Sequence, residues 1–355
     1  MTAHREREER PRLLVLRALG LGDLLAGVPA LRGLRRAFPG HELVLAAPEA
    51  LREAVRHTGA VDALLPAGAP ERAVPSLRHW PGPAPQVAVD LHGNGPASRR
   101  ALEELRPRRL LAFAGPHRPG EPAPQWRADE HERTRWCRFL AAHGIPADPA
   151  DLRLPRPGPS PAPGAVVVHP GANAAARRWP VRRYAAVVRA LAGRRVVISG
   201  GPGDEPVTAA LAAAAGVAHR DVHQSPPFAR FAALIAHADL LISADTGPAH
   251  LAAAYGTPSV TLFGPVSPAL WGPPQDGPHR ALYHPGPAGD PHGRSPDPRL
   301  LEITPEEVLA AAHGLRRGAG APGSAGPPQR GTDDDWRNGG GRVRSAPPPG
   351  AGASA

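Results

Sequence analysis

A chain of 355 residues, 41 % of them hydrophobic, is long enough for two domains of ordinary size. One cysteine, Cys137, excludes an internal disulfide and supports no cysteine metal site, and no apolar run approaches the ~20 residues that a membrane-spanning helix needs. The net charge of +10 is carried by arginine alone and is interleaved with acids, as in Arg5-Glu-Arg-Glu-Glu-Arg10, with only 4 % aromatic residues; this reads as a solvated face and not as a nucleic-acid-binding stripe.

The first ten residues are charged and read as disordered, without a signal peptide, so a cytoplasmic protein is expected. The arginine-rich segment 99–138 leaves open a modest peripheral attraction to an anionic membrane surface. Residues 13–16 form a short apolar run that predicts a buried strand, followed by a glycine-containing turn over 17–22. A helix over 23–38 follows from the spacing of Leu24, Val28, Leu31 and Leu34, and Pro39-Gly40 ends it. Strands are expected at 42–46 and 87–91, and helices at 51–57, 97–105 and 129–143. The stretch 154–164 has five prolines and no periodicity, which makes it the natural linker.

A second alternation begins after it. Strands are expected at 165–169, 195–199, 240–243 and 259–263, and helices at 181–191, 207–215, 228–237 and from Gly247 to the stop at Gly256. Thr304 and Pro305 open a last helix through residue 315, with Glu306 and Glu307 at its positive pole. Gly, Pro, Ala and Ser dominate residues 318–355, which are expected to be disordered. The expected organisation is therefore a first domain over 11–153, a linker over 154–164 and a second domain over 165–317. Each is an α/β layer with a parallel sheet.

The richest stretch is Ser243-Ala-Asp245-Thr246-Gly247-Pro248-Ala-His250, a strand-to-helix corner. The first N–H groups of a helix have no internal partner and carry the positive end of its dipole, so such a corner suits an anion, typically a phosphate. Pro248 is tolerated in the first turn, and His250 lies one turn beyond Thr246 on the same face. The string Asp-Thr-Gly-Pro-x-His-Leu-Ala-Ala-x-x-Gly-x-Pro, with Leu262-Phe-Gly-Pro265 and Trp271-Gly-Pro273 after it, closely resembles the nucleotide-binding signature of glycosyltransferase family 9, the ADP-heptose heptosyltransferases of lipopolysaccharide synthesis.

Gly20-Leu-Gly22-Asp23 resembles the amino-terminal motif of the same family. Read as a dinucleotide fingerprint it is incomplete, because Leu25 stands where the third small residue belongs and Ala46-Ala-Pro48 where the ribose-binding acid belongs. An NAD oxidoreductase is therefore disfavoured. An aspartate at a helix start is ordinarily a cap; the resemblance implies that Asp23 is the catalytic base. His169-Pro-Gly171-Ala, then Arg177-Arg-Trp179, resembles a third family element, in which Arg177 stands where lysine is usual; the charge is kept and the geometry changes. Gly200-Gly201 resembles the loop near the nucleotide, and Asp90 and His92 match a pattern on the acceptor side.

The resemblance spans residues 13–315. It implies the GT-B architecture, two facing Rossmann-like domains with a central cleft, and an inverting transfer of a sugar from an ADP-sugar to a glycan or glycolipid hydroxyl. The donor site would comprise Arg177, Asp245, Thr246, Gly247, His250, Gly171, Gly200 and Gly201. No metal or other cofactor is expected, since no Asp-x-Asp occurs within residues 13–315. One departure stands out: Ala229 occupies the place of a family glutamate that contacts the nucleoside. A nucleotide-sugar epimerase or hydrolase of the same fold, or a non-catalytic nucleotide-binding module, are the alternatives.

Overall fold

A computed structural model describes residues 10–70, 73–115 and 123–320, with side chains to Leu315. Of the disordered tails expected at 1–10 and 318–355, residues 1–9 and 321–355 lie outside the described residues.

The first half runs β1 (Arg12–Leu16), α1 (Leu21–Ala37), β2 (Glu42–Ala47), α2 (Arg52–His57), β3 (Ala63–Pro66), β4 (Val87–Asp90), α3 (Pro96–Glu103), β5 (Arg109–Leu111) and α4 (Glu132–Ala142). Its five strands are parallel, in the order β3-β2-β1-β4-β5, with Leu16 registered between Ala46 and Asp90. The second half runs β6 (Val166–His169), α5 (Val181–Ala190), β7 (Val196–Gly200), α6 (Glu205–Ala215), β8 (Val222–Gln224), α7 (Phe228–Ala236), β9 (Leu240–Ala244), α8 (Gly247–Tyr255), β10 (Ser259–Leu262), α9 (Pro268–Trp271), β11 (His279–Leu282), α10 (Pro298–Glu302) and α11 (Pro305–Gly320). Its six strands are also parallel, in the order β11-β10-β9-β6-β7-β8.

Four strands have no counterpart in the sequence reading: β3, β5, β8 and β11. All four are sheet edges. An edge strand buries fewer side chains and so carries a weaker apolar pattern; Arg280 and Ala281 of β11 are exposed, and none of the three residues of β8 is buried. The last helix also runs past the expected stop, to Gly320, because the first proline that could break it is Pro322. The proline-rich segment after Leu154 has no helix or strand, but its start is pinned: Leu154 donates its N–H to Ala254 O at 3.1 Å.

Helix α1 belongs to both halves. Leu24, Leu31 and Leu34 pack into the first core, while Leu25 and Val28, on the adjoining helical face, pack against Leu251 and Leu241 of the second. The turn that leads into α1 is held by Arg17, which is 1 % exposed. Its Nε donates to Asp23 O at 2.6 Å, its Nη1 to Leu91 O at 2.6 Å, and its Nη2 pairs with Glu132 at 3.0 Å. The guanidinium also lies 5.1 Å from the centre of the Trp136 ring.

Replacing this arginine leaves two carbonyls and part of a buried carboxylate unpaired, although Glu132 keeps Arg135 and the Trp136 N–H. Arg17→Met is expected to lower the unfolding free energy by about 3 kcal/mol. The check is the urea midpoint; an unchanged midpoint would mean that the turn into α1 holds without the guanidinium.

Candidate active site

In an open parallel sheet, ligands collect beyond the carboxyl ends of the strands where the strand order reverses. The first sheet reverses between β1 and β4, the second between β6 and β9. The loops leaving β1, β6 and β9 all contribute to one cavity of about 580 Å³, together with the loop after β7.

Two helix N-termini meet at this cavity. At α1, Asp23 Oδ2 accepts the Gly20 N–H at 3.0 Å, so the aspartate does cap its helix. At α8, Thr246 occupies the N-cap with extended backbone, but its hydroxyl donates to Ala244 O at 3.3 Å and makes no cap hydrogen bond. The leading N–H groups of α8 are therefore left without a side-chain acceptor. The two ends touch through glycines. A Cβ on Gly22 would lie 2.8 Å from His250 Cδ2, and a Cβ on Gly247 would lie 3.0 Å from Leu21 Cδ2. Only glycine at these two positions permits so close an approach.

The charged groups lie around that contact. Arg177 Nη1 donates to Asp245 O at 3.3 Å and sits 3.8 Å from its Oδ2. Burial pushes the Asp245 carboxyl up to about 6; Arg177 opposes the rise and Asp23 adds to it. His250 Nε2 is 3.7 Å from Asp245 Oδ1, and the imidazole makes a T-shaped contact with Trp271 at 5.9 Å between centroids. Burial depresses its pKa to about 4, with Arg133 pushing the same way and Asp23 against it. Both groups thus resist carrying charge in the cavity.

A second glycine loop closes another side. Asp204 Oδ2 accepts the Gly201 N–H at 2.9 Å and fills the space beside Gly171 that a Cβ would need. Gly200 is crowded in the same way by Gln224 and Thr208, which hydrogen-bond each other at 2.9 Å. His169 bonds Ser199 through Nδ1 at 3.0 Å, and burial holds its pKa down. Leu51, Phe228 and Phe231 give the cavity an apolar wall.

Asp23, Arg177, Asp245, Thr246, Gly247, His250, Gly171, Gly200 and Gly201 all line this one cavity. Asp90 and His92 do not. The Asp90 carboxylate, 2 % exposed, turns into its own loop, where it accepts the Ser98 hydroxyl at 2.7 Å and the His92 N–H at 3.0 Å. Ala229 lies at the start of α7 with its N–H 3.4 Å from Glu53 Oε2 of the other half. Sequence reasoning did not single out Asp204, Phe231 or the cavity face of Trp271. Asp204 had a signal, an acid right after Gly200-Gly-Pro-Gly203; the aromatic side chains had none beyond ordinary core spacing. Among the described residues no group of three or more His, Cys, Asp or Glu side chains could hold a metal, and no helix is long and apolar enough to cross a membrane.

A deep cavity with a bare helix N-terminus, one arginine and an apolar wall suits a ligand with an anionic group and a flat hydrophobic one. Residues 121–281 match the model of glycosyltransferase family 9 (heptosyltransferase). A 119-residue segment is 34 % identical to lipopolysaccharide heptosyltransferase 3 of Escherichia coli, covering 30 % of this chain and 33 % of that one. Another of 158 residues is 32 % identical to lipopolysaccharide heptosyltransferase 2 of Salmonella typhimurium, covering 41 % and 45 %. The aligned segments thus span a third to under half of these relatives. The fold is that of E. coli ADP-heptose lipopolysaccharide heptosyltransferase II, with TM-score 0.69 and 21 % identity over 87 % of this chain and 100 % of that one. It confirms the expected GT-B arrangement of two facing parallel-sheet halves.

The environment of His250 gives a direct test. Its imidazole is expected to be neutral at pH 7 and to titrate near 4 in the ligand-free protein. Ring NMR shifts, assigned with His250→Asn, check this; a midpoint near the ordinary ~6.5 would mean that the ring is solvated.

Proposed function

From a chain whose residues 121–281 carry a glycosyltransferase family 9 domain, we propose an enzyme that takes a sugar from a nucleoside diphosphate donor, ADP-heptose or a related ADP-sugar, and transfers it to a hydroxyl of a glycan or glycolipid. The observation that carries this reading is the uncapped N-terminus of α8 facing Asp23 across a single cavity. A solved E. coli heptosyltransferase, WaaC, with ADP shares the fold at TM-score 0.61 and 18 % identity, over 86 % of this chain and 99 % of that one.

In this proposal the diphosphate lies against the backbone N–H of Gly247 at the start of α8, with Arg177 and His250 on its oxygens. The nucleoside lies against the apolar wall of Leu51, Phe228 and Phe231. The acceptor oxygen attacks the anomeric carbon from the side of Asp23. A new C–O bond forms, the bond to the diphosphate breaks with inversion, and the acceptor proton passes to the Asp23 carboxylate. The negative charge that develops on the diphosphate is met by fixed N–H dipoles and the arginine, and the reaction needs no metal. Contact with an anionic membrane surface belongs to the same proposal. Arg100, Arg106, Arg108 and Arg109 are exposed and offer the charge for it, whereas Arg133 and Arg135 are buried.

Calorimetry with ADP, UDP, GDP and dTDP in the presence of EDTA is the test. ADP is expected to bind, and to bind at least about tenfold more weakly to Arg177→Ala and His250→Ala, the loss of one charge-assisted hydrogen bond. Asp23→Asn is expected to keep ADP affinity within about twofold while transfer falls by about 10²–10⁴. Binding of none of the four nucleotides would sink the donor site. Release of free sugar without an acceptor would replace transfer by hydrolysis or epimerisation.

A further inference from the structure

The carbonyl of Gly272, in the second half, is held by two donors from the first. His131 Nε2 lies 3.0 Å from it and Arg133 Nη1 3.2 Å. The roles are fixed by the local geometry. His131 is the N-cap of α4, and its Nδ1 accepts the Arg133 N–H at 3.2 Å, so Nε2 carries the proton and donates. Arg133 is 9 % exposed, and among the described residues no carboxylate pairs with it. A buried guanidinium held by one carbonyl is costly to keep in place, which points to a task at that carbonyl.

Gly272 follows directly on Trp271, at the end of α9, and its N–H returns to Pro268 O at 2.7 Å. The indole of Trp271 makes a T-shaped contact with the His250 ring, with ring planes at 75°. Three links therefore run in series: the α4 pair grips Gly272, Gly272 fixes Trp271, and Trp271 bears on the imidazole that lines the cavity. Because His131 and Arg133 come from one half and Gly272 from the other, this chain of contacts is complete only when the halves stand as close as they do in this structure.

We propose that His131 and Arg133 are positioning residues for His250, acting through Gly272 and Trp271, so that closure of the halves is what seats the imidazole against the donor diphosphate. The functional part rests on the reading of the cavity as a donor site. The contact itself does not, which allows the two to fail separately.

The test has two arms. The geometric arm is the nuclear Overhauser contact between the His250 and Trp271 rings without nucleotide: present in the wild type, lost in Arg133→Met, retained in Arg133→Lys, which keeps a donor for the carbonyl. A contact that survives Arg133→Met overturns the clamp whatever the cavity binds. The functional arm is ADP affinity in a double-mutant cycle. Arg133→Met is expected to weaken ADP about five- to tenfold, Trp271→Leu to a similar extent with the clamp residues intact, and Arg133→Met/His250→Ala no further than His250→Ala alone. Losses that multiply in the double mutant overturn the proposal, because Arg133 then acts independently of His250. If Arg133→Met does not fold, the Trp271→Leu/His250→Ala pair decides by the same criterion. If His250→Ala leaves ADP affinity unchanged while the ring contact responds as stated, the donor-site reading fails and the clamp on the imidazole stands.

Discussion

Two helix N-termini of the same polarity point into one cavity, and they are brought together by glycines at Gly22 and Gly247. Dipoles in that arrangement repel each other. Something must hold the ends together, and something must make the repulsion useful. Packing supplies the first: α1 is shared between the two cores, through Leu24, Leu31 and Leu34 on one face and Leu25 and Val28 on the next. The second follows from the chemistry of the ends. At α1 the positive pole is partly answered by Asp23, which spends one oxygen on Gly20 N–H. At α8 Thr246 turns away, and the pole is answered by no side-chain cap. An anion that enters the cavity relieves the repulsion and satisfies the bare N–H groups at once.

The titratable groups fit the same logic. His250 is held neutral by burial, while burial raises the Asp245 carboxyl to about 6, against the pull of Arg177. A diphosphate beside His250 would favour the imidazolium and turn a neutral ring into a charged donor where negative charge builds up. Arg177 completes the set because its nearest acid, Asp245, is a weak competitor: the pair is 3.8 Å apart, looser than a direct hydrogen-bonded ion pair.

How much of this was legible in the sequence depends on where a residue's neighbours come from. The inner strands β1, β2, β4, β6, β7, β9 and β10 are buried along nearly their whole length and mostly apolar because both faces are covered, and they can be read from their own residues. The edges β3, β5, β8 and β11 cannot, since their pairing is decided by the strand beside them. The same holds at the site. Gly20, Gly22, Thr246 and Gly247 announce themselves, because a strand-to-helix corner imposes its chemistry within a few residues. Arg17 looks like a turn residue, and only the fold brings it Leu91 and Glu132. His131, Arg133 and Gly272 are more than a hundred residues apart in pairs across the halves, and no local pattern links them.

Asp90 shows why strand-end position alone does not define a catalytic group. Asp23, Asp90 and Asp245 all sit at or after the carboxyl ends of parallel strands, all are buried, and all three strands flank a reversal of sheet order. Burial raises the Asp90 and Asp245 carboxyls alike, to about 6. What separates them is the partner available after the strand. The chain after β4 folds back at once, and Ser98 at the start of α3 reaches the Asp90 carboxylate, so its hydrogen-bonding capacity is used inside its own loop. After β1 and β9 the chain enters a helix after a short turn, and each corner meets a residue of the opposite half, Gly22 against His250 and Gly247 against Leu21. Asp245 senses Asp23 across the cavity, while Asp90 is held by Ser98 and His92 of its own loop. The facing of the two halves, more than the motif around either aspartate, is what makes the corner a site.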